Sequence, residues 1–146
     1  MASDHPTDSD APAPCAERFN QARTAQAMAL LEDYTEMIDD LLREQGEARI
    51  TDIARRIGVT HPTAAKAVAR LKREGLAVSR PYRGVFLTEA GAAMAERVRA
   101  RHRIVVDLLM AVGVPEGAAE LDAEGIEHHV SGATLAAFEA FLRKAG

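Results

Sequence analysis

The chain has no tryptophan, and aromatic residues fill only 4% of its 146 positions. That scarcity argues against a stacking platform for single-stranded nucleic acid and against a sugar-binding cleft. A single cysteine, Cys15, excludes a disulfide within the chain and fits a reducing cytoplasm, the expected location. No apolar run reaches the ~18 residues of a membrane-spanning helix, so no membrane partner is expected. The N-terminus opens on acidic and proline residues and lacks the basic start and apolar centre of a secretory signal. What remains, 47% hydrophobic and 27% charged, is ordinary for a folded chain of one domain, or of two small lobes sharing a core.

The net charge of −4 hides a segregation. Residues 1–48 carry three Arg against eleven Asp and Glu, residues 49–83 nine Lys and Arg against Asp52 and Glu74, and residues 84–146 six basic against nine acidic side chains. A basic block between two acidic ones points to a polyanion-binding surface beside a cation-attracting one.

The organisation follows from local signals. Residues 1–22, with three Asp and three Pro, read as a disordered tail holding Cys15. From about Thr24 to Gln45, Leu31, Tyr34, Ile38, Leu41 and Leu42 share one helical face, and Gly46 supplies a stop. Thr51 is expected to cap a short helix ending at Gly58, and Thr60 a second one, with Pro62 in its first turn, ending at Gly75. The β-prone runs 76–80 and 85–87 flank the turn Pro81-Tyr82-Arg83-Gly84. A helix-turn-helix followed by such a hairpin is a winged helix. A long helix from Thr88 to about Val112, a segment over 116–129 and a last helix capped by Ser131 complete a mainly α chain. The expected division is a tail over 1–22, an N-terminal winged helix-turn-helix domain with a small β-hairpin wing over 23–88, and a helical metal-binding and dimerisation lobe over 89–146.

The basic block has the form of a DNA reader. His61, Thr63 and Lys66 fall in the first two turns of the second helix, beside the capping Thr60, where such helices meet base edges in a major groove. Arg70, Lys72 and Arg73, with Arg80 and Arg83 around the wing, suit backbone phosphates of double-stranded DNA. One module of this size buries modest area, so tight binding calls for two copies on one near-palindromic site. The long helix's apolar face, with Met94, Val98, Val105, Leu108, Leu109 and Val112, is broader than a hairpin covers and predicts a homodimer.

The acidic flanks read as a metal site. Asp33, Glu36 and Asp40 form a stripe opposite the apolar face of the first helix, which alone is an ordinary solvated surface. In Leu121-Asp-Ala-Glu-Gly-Ile-Glu-His-His-Val130, however, Glu124, Glu127 and His128 stand at i, i+3 and i+4, with Ala119, Ala123, Ile126 and Val130 opposite for packing. Two carboxylates and an imidazole in one patch are unfavourable unless a cation compensates. His102 lies at the apolar border of the long helix. With no thiolate or thioether among its members, this oxygen-rich set suits Mn²⁺, Mg²⁺ or Ca²⁺; its imidazoles shift the choice towards Mn²⁺ or Fe²⁺, Zn²⁺ fits a four-ligand subset, and bridging Glu side chains would allow two ions. A di-metal carboxylate enzyme of the four-helix-bundle kind would need Glu-x-x-His on two helices, and neither is present. A winged-helix regulator sensing Fe²⁺ or a small organic ligand is the alternative.

These residues resemble the diphtheria-toxin-repressor family of metal-dependent transcriptional regulators, in its manganese-responsive branch. The matching strings are E-D-Y-T-E-M-I (32–38), G-E-A-R-I-T-D-I-A-R-R-I-G-V (46–59), H-P-T-A-A-K-A-V-A-R-L (61–71), Y-R-G-V-F-L-T-E-A-G (82–91), R-H (101–102) and A-E-G-I-E-H-H-V (123–130). The resemblance implies a non-enzymatic homodimeric repressor of manganese uptake genes with Mn²⁺, one or two ions per subunit, as corepressor. It implies ligands at Asp33, Glu36, His102, Glu124, Glu127 and His128, with His129 outside the set. Asp33 and Glu127 stand where iron-responsive relatives tend to carry Met and Cys. The SH3-like third domain of those relatives is not expected.

Overall fold

The structure, a computed structural model, describes residues 14–146. Residues 1–13 of the expected tail lie outside the described part. The first helix, α1 (Cys15–Gln45), begins well before Thr24, which corrects the tail assignment for residues 15–22. Those residues are rich in Ala, Glu, Arg and Gln, and adding them to an existing helix avoids the nucleation penalty. These turns are exposed, Phe19 included.

Downstream, α1 is buried on more than one side. Leu31, Tyr34, Ile38 and Leu41 meet Ile53 and Ala54 of α2 (Ile50–Ile57), Ala64, Val68 and Leu71 of α3 (His61–Arg73), and Leu76, Ala77 and Val85 of the wing. Complete burial of Ile38 or Leu41 stabilises the fold by about 1.5–3 kcal/mol each.

Helix α2 starts after Arg49, whose extended backbone is the cap position, so Thr51 is a second-position residue and not the expected cap. The cause is tertiary. Ala48 pairs with Val85, whose N–H donates to the Ala48 carbonyl at 2.8 Å, and the chain must turn into the helix directly after that bridge. Thr60 does cap α3, accepting from the Thr63 amide at 3.3 Å.

The wing pairs β1 (Ala77–Arg80) antiparallel with β2 (Gly84–Leu87), Arg80 opposite Gly84. A side chain at Gly84 would put its Cβ 2.5 Å from the Ala48 carbonyl, on a backbone already at φ +88°. Gly91 is equally constrained. Its Cβ would lie 2.1 Å from the Leu76 carbonyl, where α4 (Glu89–Ala111) starts against the wing under its Thr88 cap.

The second core joins Val105 and Val106 of α4 to Ala119 and Ala123 of α5 (Glu116–Ile126), with Leu135 of α6 (Gly132–Ala145) against them. Ser131 caps α6 as expected. Helix α5 stops at Ile126, and Glu127–His129 form a tighter 3-10 turn. Ile126, expected to pack, is therefore turned outward and 39% exposed. Leu121, Val112 and Phe141 are also exposed on this lobe. Among the described residues, no helix is long and apolar enough to cross a membrane.

Candidate metal centre and nucleic-acid interface

The acidic stripe of α1 faces the second lobe, because the same helix packs on α2, α3 and β2 and also on α4 and the 3-10 turn. Ion pairs reinforce that contact: Arg99 with Asp39 and Asp40, Arg101 with Glu32, and Arg43 with Glu96 at 2.6 Å. The exposed Arg43 pair contributes at most about 1 kcal/mol.

Five of the six sequence-predicted ligands stand in pairs along the contact between these elements, with Glu36 beside them. His128 Nε2 lies 2.8 Å from Asp33 Oδ1 and 3.5 Å from Glu127 Oε1. On α4, His102 Nδ1 lies 2.5 Å from Glu127 Oε2 and 4.0 Å from Glu124 Oε1. Glu36 sits close enough for Glu124 and His102 to bias its ionisation. Glu127, 1% exposed, is thus the hub that both imidazoles address. The arrangement consists of pairs: among the described residues, no three such side chains already gather their donor atoms about one point.

The electrostatics are those of an undercompensated acidic cluster. Burial pushes the Glu127 carboxyl up to about 7 despite both neighbouring imidazoles. Glu36 is raised as well, first by burial and then by Asp40 and Glu124. His128 is raised by Asp33 against the opposing effect of burial. For His102 burial acts downward, but Glu120 and Glu127 outweigh it and the net shift is upward.

This donor set fits a hard or borderline divalent cation. Oxygen-binding ions with bonds of about 2.0–2.6 Å bring neighbouring donors to roughly 3–3.6 Å, close to the separations around His128 and Glu127. His128, whose side chain is 4% exposed, has no well-aligned hydrogen bond at either ring nitrogen, although Asp33 is within reach of Nε2. A buried imidazole in that condition is under-satisfied by hydrogen bonding alone.

The basic surface lies across α1 from this site, where Thr63, Lys66 and Arg70 line a groove with Leu30 and Tyr34. His61, Thr63 and Lys66 are exposed on α3, Arg70 is half-buried, and Arg80 and Arg83 are exposed on the wing. Thr60 uses its hydroxyl within the cap, donating to Thr63 Oγ1 at 2.9 Å. The Arg80 guanidinium lies 4.9 Å from the centre of the Phe86 ring. At the wing tip, Tyr82 is 95% exposed and has a left-handed backbone at φ +63°. Arg49 anchors that turn, donating to the Tyr82 carbonyl at 3.0 Å.

The same two-part division appears in comparison with known proteins. Residues 26–85 match the family described as iron dependent repressor, N-terminal DNA binding domain, and residues 88–145 match iron dependent repressor, metal binding and dimerisation domain. The chain belongs to the iron-dependent repressor family. Its similar relatives include the Transcriptional regulator MntR of Escherichia coli O157:H7, 50% identical over 130 residues that span 89% of this chain and 84% of that protein. The protein of the same name from Salmonella typhimurium is 48% identical over 130 residues, 89% of this chain and 83% of its own. Among solved structures, the manganese regulator SloR superposes with a TM-score of 0.69 at 26% identity, over 77% of this chain. The present chain covers 53% of SloR, about half its length.

As a member of the iron-dependent repressor family, the protein is a metal-dependent, DNA-binding transcriptional regulator and not an enzyme. Three residues around the candidate metal centre were missed by sequence reasoning. Glu120 Oε2 lies 2.7 Å from His102 Nε2, and its i−4 spacing from Glu124 was a readable signal. Glu32 and Arg101 form a buried pair, with Glu32 Oε2 3.7 Å from His128 Nδ1. Nothing in their spacing marks them, since their burial is created by the packing of α1 on α4.

Proposed function

We propose that the protein is a manganese-dependent repressor whose ligands Asp33, Glu36, His102, Glu124, Glu127 and His128 would hold one or two Mn²⁺ ions per subunit. The observation that carries this reading is the sharing of Glu127 between His102 of α4 and His128, which also meets Asp33 of α1. Oxygen donors at Asp33 and Glu127, with no sulfur in the set, favour Mn²⁺ over softer ions. The names of the MntR relatives and of the manganese regulator SloR support the same choice.

Asp33 and Glu36 belong to the helix on which α2 and α3 pack, whereas His102, Glu124, Glu127 and His128 belong to the dimerisation lobe. When bound, a divalent ion would supply the positive charge these carboxylates lack and tie the two lobes together. Without compensation, the charges of these carboxylates repel one another, and Glu36 and Glu127 resist ionisation, which weakens the hold of α1 on the second lobe. Orienting α1 also orients α3, and in a homodimer the two α3 helices must meet successive major grooves about 34 Å apart. A coupling of about 1–3 kcal/mol is enough for a regulatory shift.

On DNA, His61, Thr63 and Lys66 would face base edges, with Thr60 ordering the start of their helix. Arg70, Arg80 and Arg83 would meet phosphates. The partners are a near-palindromic operator in double-stranded DNA and a second copy of the chain, in the cytoplasm, with repression of manganese uptake as the output. Fluorescence anisotropy with a cognate promoter fragment at fixed salt tests the reading. Binding is expected to require Mn²⁺ and to disappear with a chelator; equal binding in both conditions refutes it.

A further inference from the structure

We propose that Glu120 is a positioning residue of the metal centre: it holds the His102 proton on Nε2 and thereby presents Nδ1 as the metal-binding nitrogen. The inference rests on the metal-site reading above and assigns a role to a residue outside the six ligands.

The two ring nitrogens of His102 face different carboxylates. Nδ1 points into the ligand cluster, 2.5 Å from Glu127 Oε2 and 4.0 Å from Glu124 Oε1. Nε2 points the other way, 2.7 Å from Glu120 Oε2. The imidazole is rigid and planar, with its nitrogen lone pairs diverging. A carboxylate seated on Nε2 therefore lies across the ring from anything that Nδ1 binds, which separates Glu120 from the ligand set.

A neutral imidazole carries one N–H and one lone pair. If the proton sits on Nδ1, that nitrogen donates to Glu127 and has nothing to offer a cation. If it sits on Nε2, Glu120 accepts it and the Nδ1 lone pair is directed at the cluster. Metal-binding histidines generally use such an outer carboxylate to set tautomer and ring orientation, and loss of the partner typically weakens metal binding by about 10–100-fold. Glu120 is half exposed, so the lower end of that range applies here.

Sequence geometry supports the arrangement. Glu120, Glu124 and Glu127 lie at i, i+4 and i+7 along α5 and into the 3-10 turn, so one stripe meets His102 in succession. Among the described residues, neither Asp122 nor Glu116 of the same helix forms an ion pair with the ring.

The test uses the full chain, labelled with ¹⁵N at histidine, in four forms: unaltered, Glu120→Ala, Glu120→Gln and His102→Ala. Mn²⁺ alone is titrated and followed by electron paramagnetic resonance, and long-range ¹H–¹⁵N correlation reads the His102 tautomer in the metal-free protein. The expected result is a protonated Nε2 in the unaltered chain, a shift towards Nδ1–H in Glu120→Ala, and about tenfold weaker Mn²⁺ binding by that variant. Glu120→Gln, which keeps a carbonyl acceptor without the charge, should recover most of the affinity and the tautomer. Equal loss in both Glu120 variants with an unchanged tautomer would mean a simple charge effect and overturn the proposal. Unaltered binding by Glu120→Ala, with His102→Ala impaired, would overturn it alone. Failure of His102→Ala to weaken Mn²⁺ binding would overturn the metal-site reading itself, and this proposal with it.

Discussion

Replacing Glu127 by Gln should stabilise the metal-free protein while removing its response to manganese. The side chain is buried, and its carboxyl is raised from 4.5 to about 7, so the folded state resists the charge. One pKa unit corresponds to about 1.4 kcal/mol. The folded state retains the proton between these two values while the unfolded chain releases it, so this group lowers stability as pH rises through about 4.5 to 7. Working through the linkage, the burden is about 1 kcal/mol at pH 5.5 and on the order of 3 kcal/mol at pH 8. Gln has nearly the same shape, can still hydrogen-bond to both imidazoles and carries no charge to desolvate. Urea unfolding of the metal-free variant at pH 8 should show a gain of about 2–3 kcal/mol over the unaltered chain, shrinking towards zero below pH 5. Manganese should raise the melting temperature of the unaltered chain by mass action and leave the variant nearly unmoved. A variant less stable than its parent at pH 8, or one that keeps the full manganese-induced rise, would refute the assignment of Glu127 as the charged hub.

Further tests address the remaining parts. Asp33→Met should lower the preference for Mn²⁺ over Fe²⁺ in a competitive binding assay, and an unchanged ranking would count against Asp33 as a selector. Because His102 and His128 are raised by their carboxylate neighbours and Glu127 by burial, ions must displace protons at neutral pH. Manganese affinity should therefore climb from pH 6 to 8 with proton release, measurable by calorimetry in buffers of different ionisation enthalpy. Arg49→Ala, which frees the Tyr82 carbonyl at the wing tip, should weaken operator binding several-fold in anisotropy while leaving manganese affinity unchanged. Arg83→Ala should weaken binding to all duplex sequences alike and reduce the salt dependence by about one unit of log–log slope.

Much of the fold was legible because its boundaries are set locally. Thr60, Thr88 and Ser131 each accept the amide three residues on, and such a cap needs no knowledge of the rest of the molecule. Thr51 failed as a cap because the bridge between Ala48 and Val85 fixes the preceding backbone, and that pairing spans 37 positions of sequence. The candidate ligand set was legible to the extent that Glu124, Glu127 and His128 share one short segment. What was not legible is which ring nitrogen faces which carboxylate, since this depends on how α4 crosses α5. The buried pair of Glu32 and Arg101 was hidden for the same kind of reason: a charged residue beside Asp33 looks like more of the same solvated stripe until α4 covers it.

The position of that stripe explains why a cation on this chain would act on DNA at a distance. Helix α1 has only one backbone but two partners: its Leu31, Tyr34, Ile38 and Leu41 are locked into the core that supports α3, and its Asp33, Glu36, Asp39 and Asp40 face the second lobe. Arg99 satisfies Asp39 and Asp40 permanently, so that end of the contact does not depend on metal. Asp33 and Glu36 face an imidazole and further carboxylates instead, and only there does the contact change sign with the charge supplied. On the proposed metal reading, the Arg99 end of the α1–α4 contact would act as a fixed hinge and the Asp33–Glu36 end as a conditional latch. Removing the hinge with Arg99→Ala should loosen the lobes with or without manganese, whereas Glu36→Gln at the latch should tighten the metal-free contact and remove the tightening that manganese adds. A hydrogen-exchange comparison of α1 in the two variants separates the roles, and identical protection patterns would show that the helix transmits nothing.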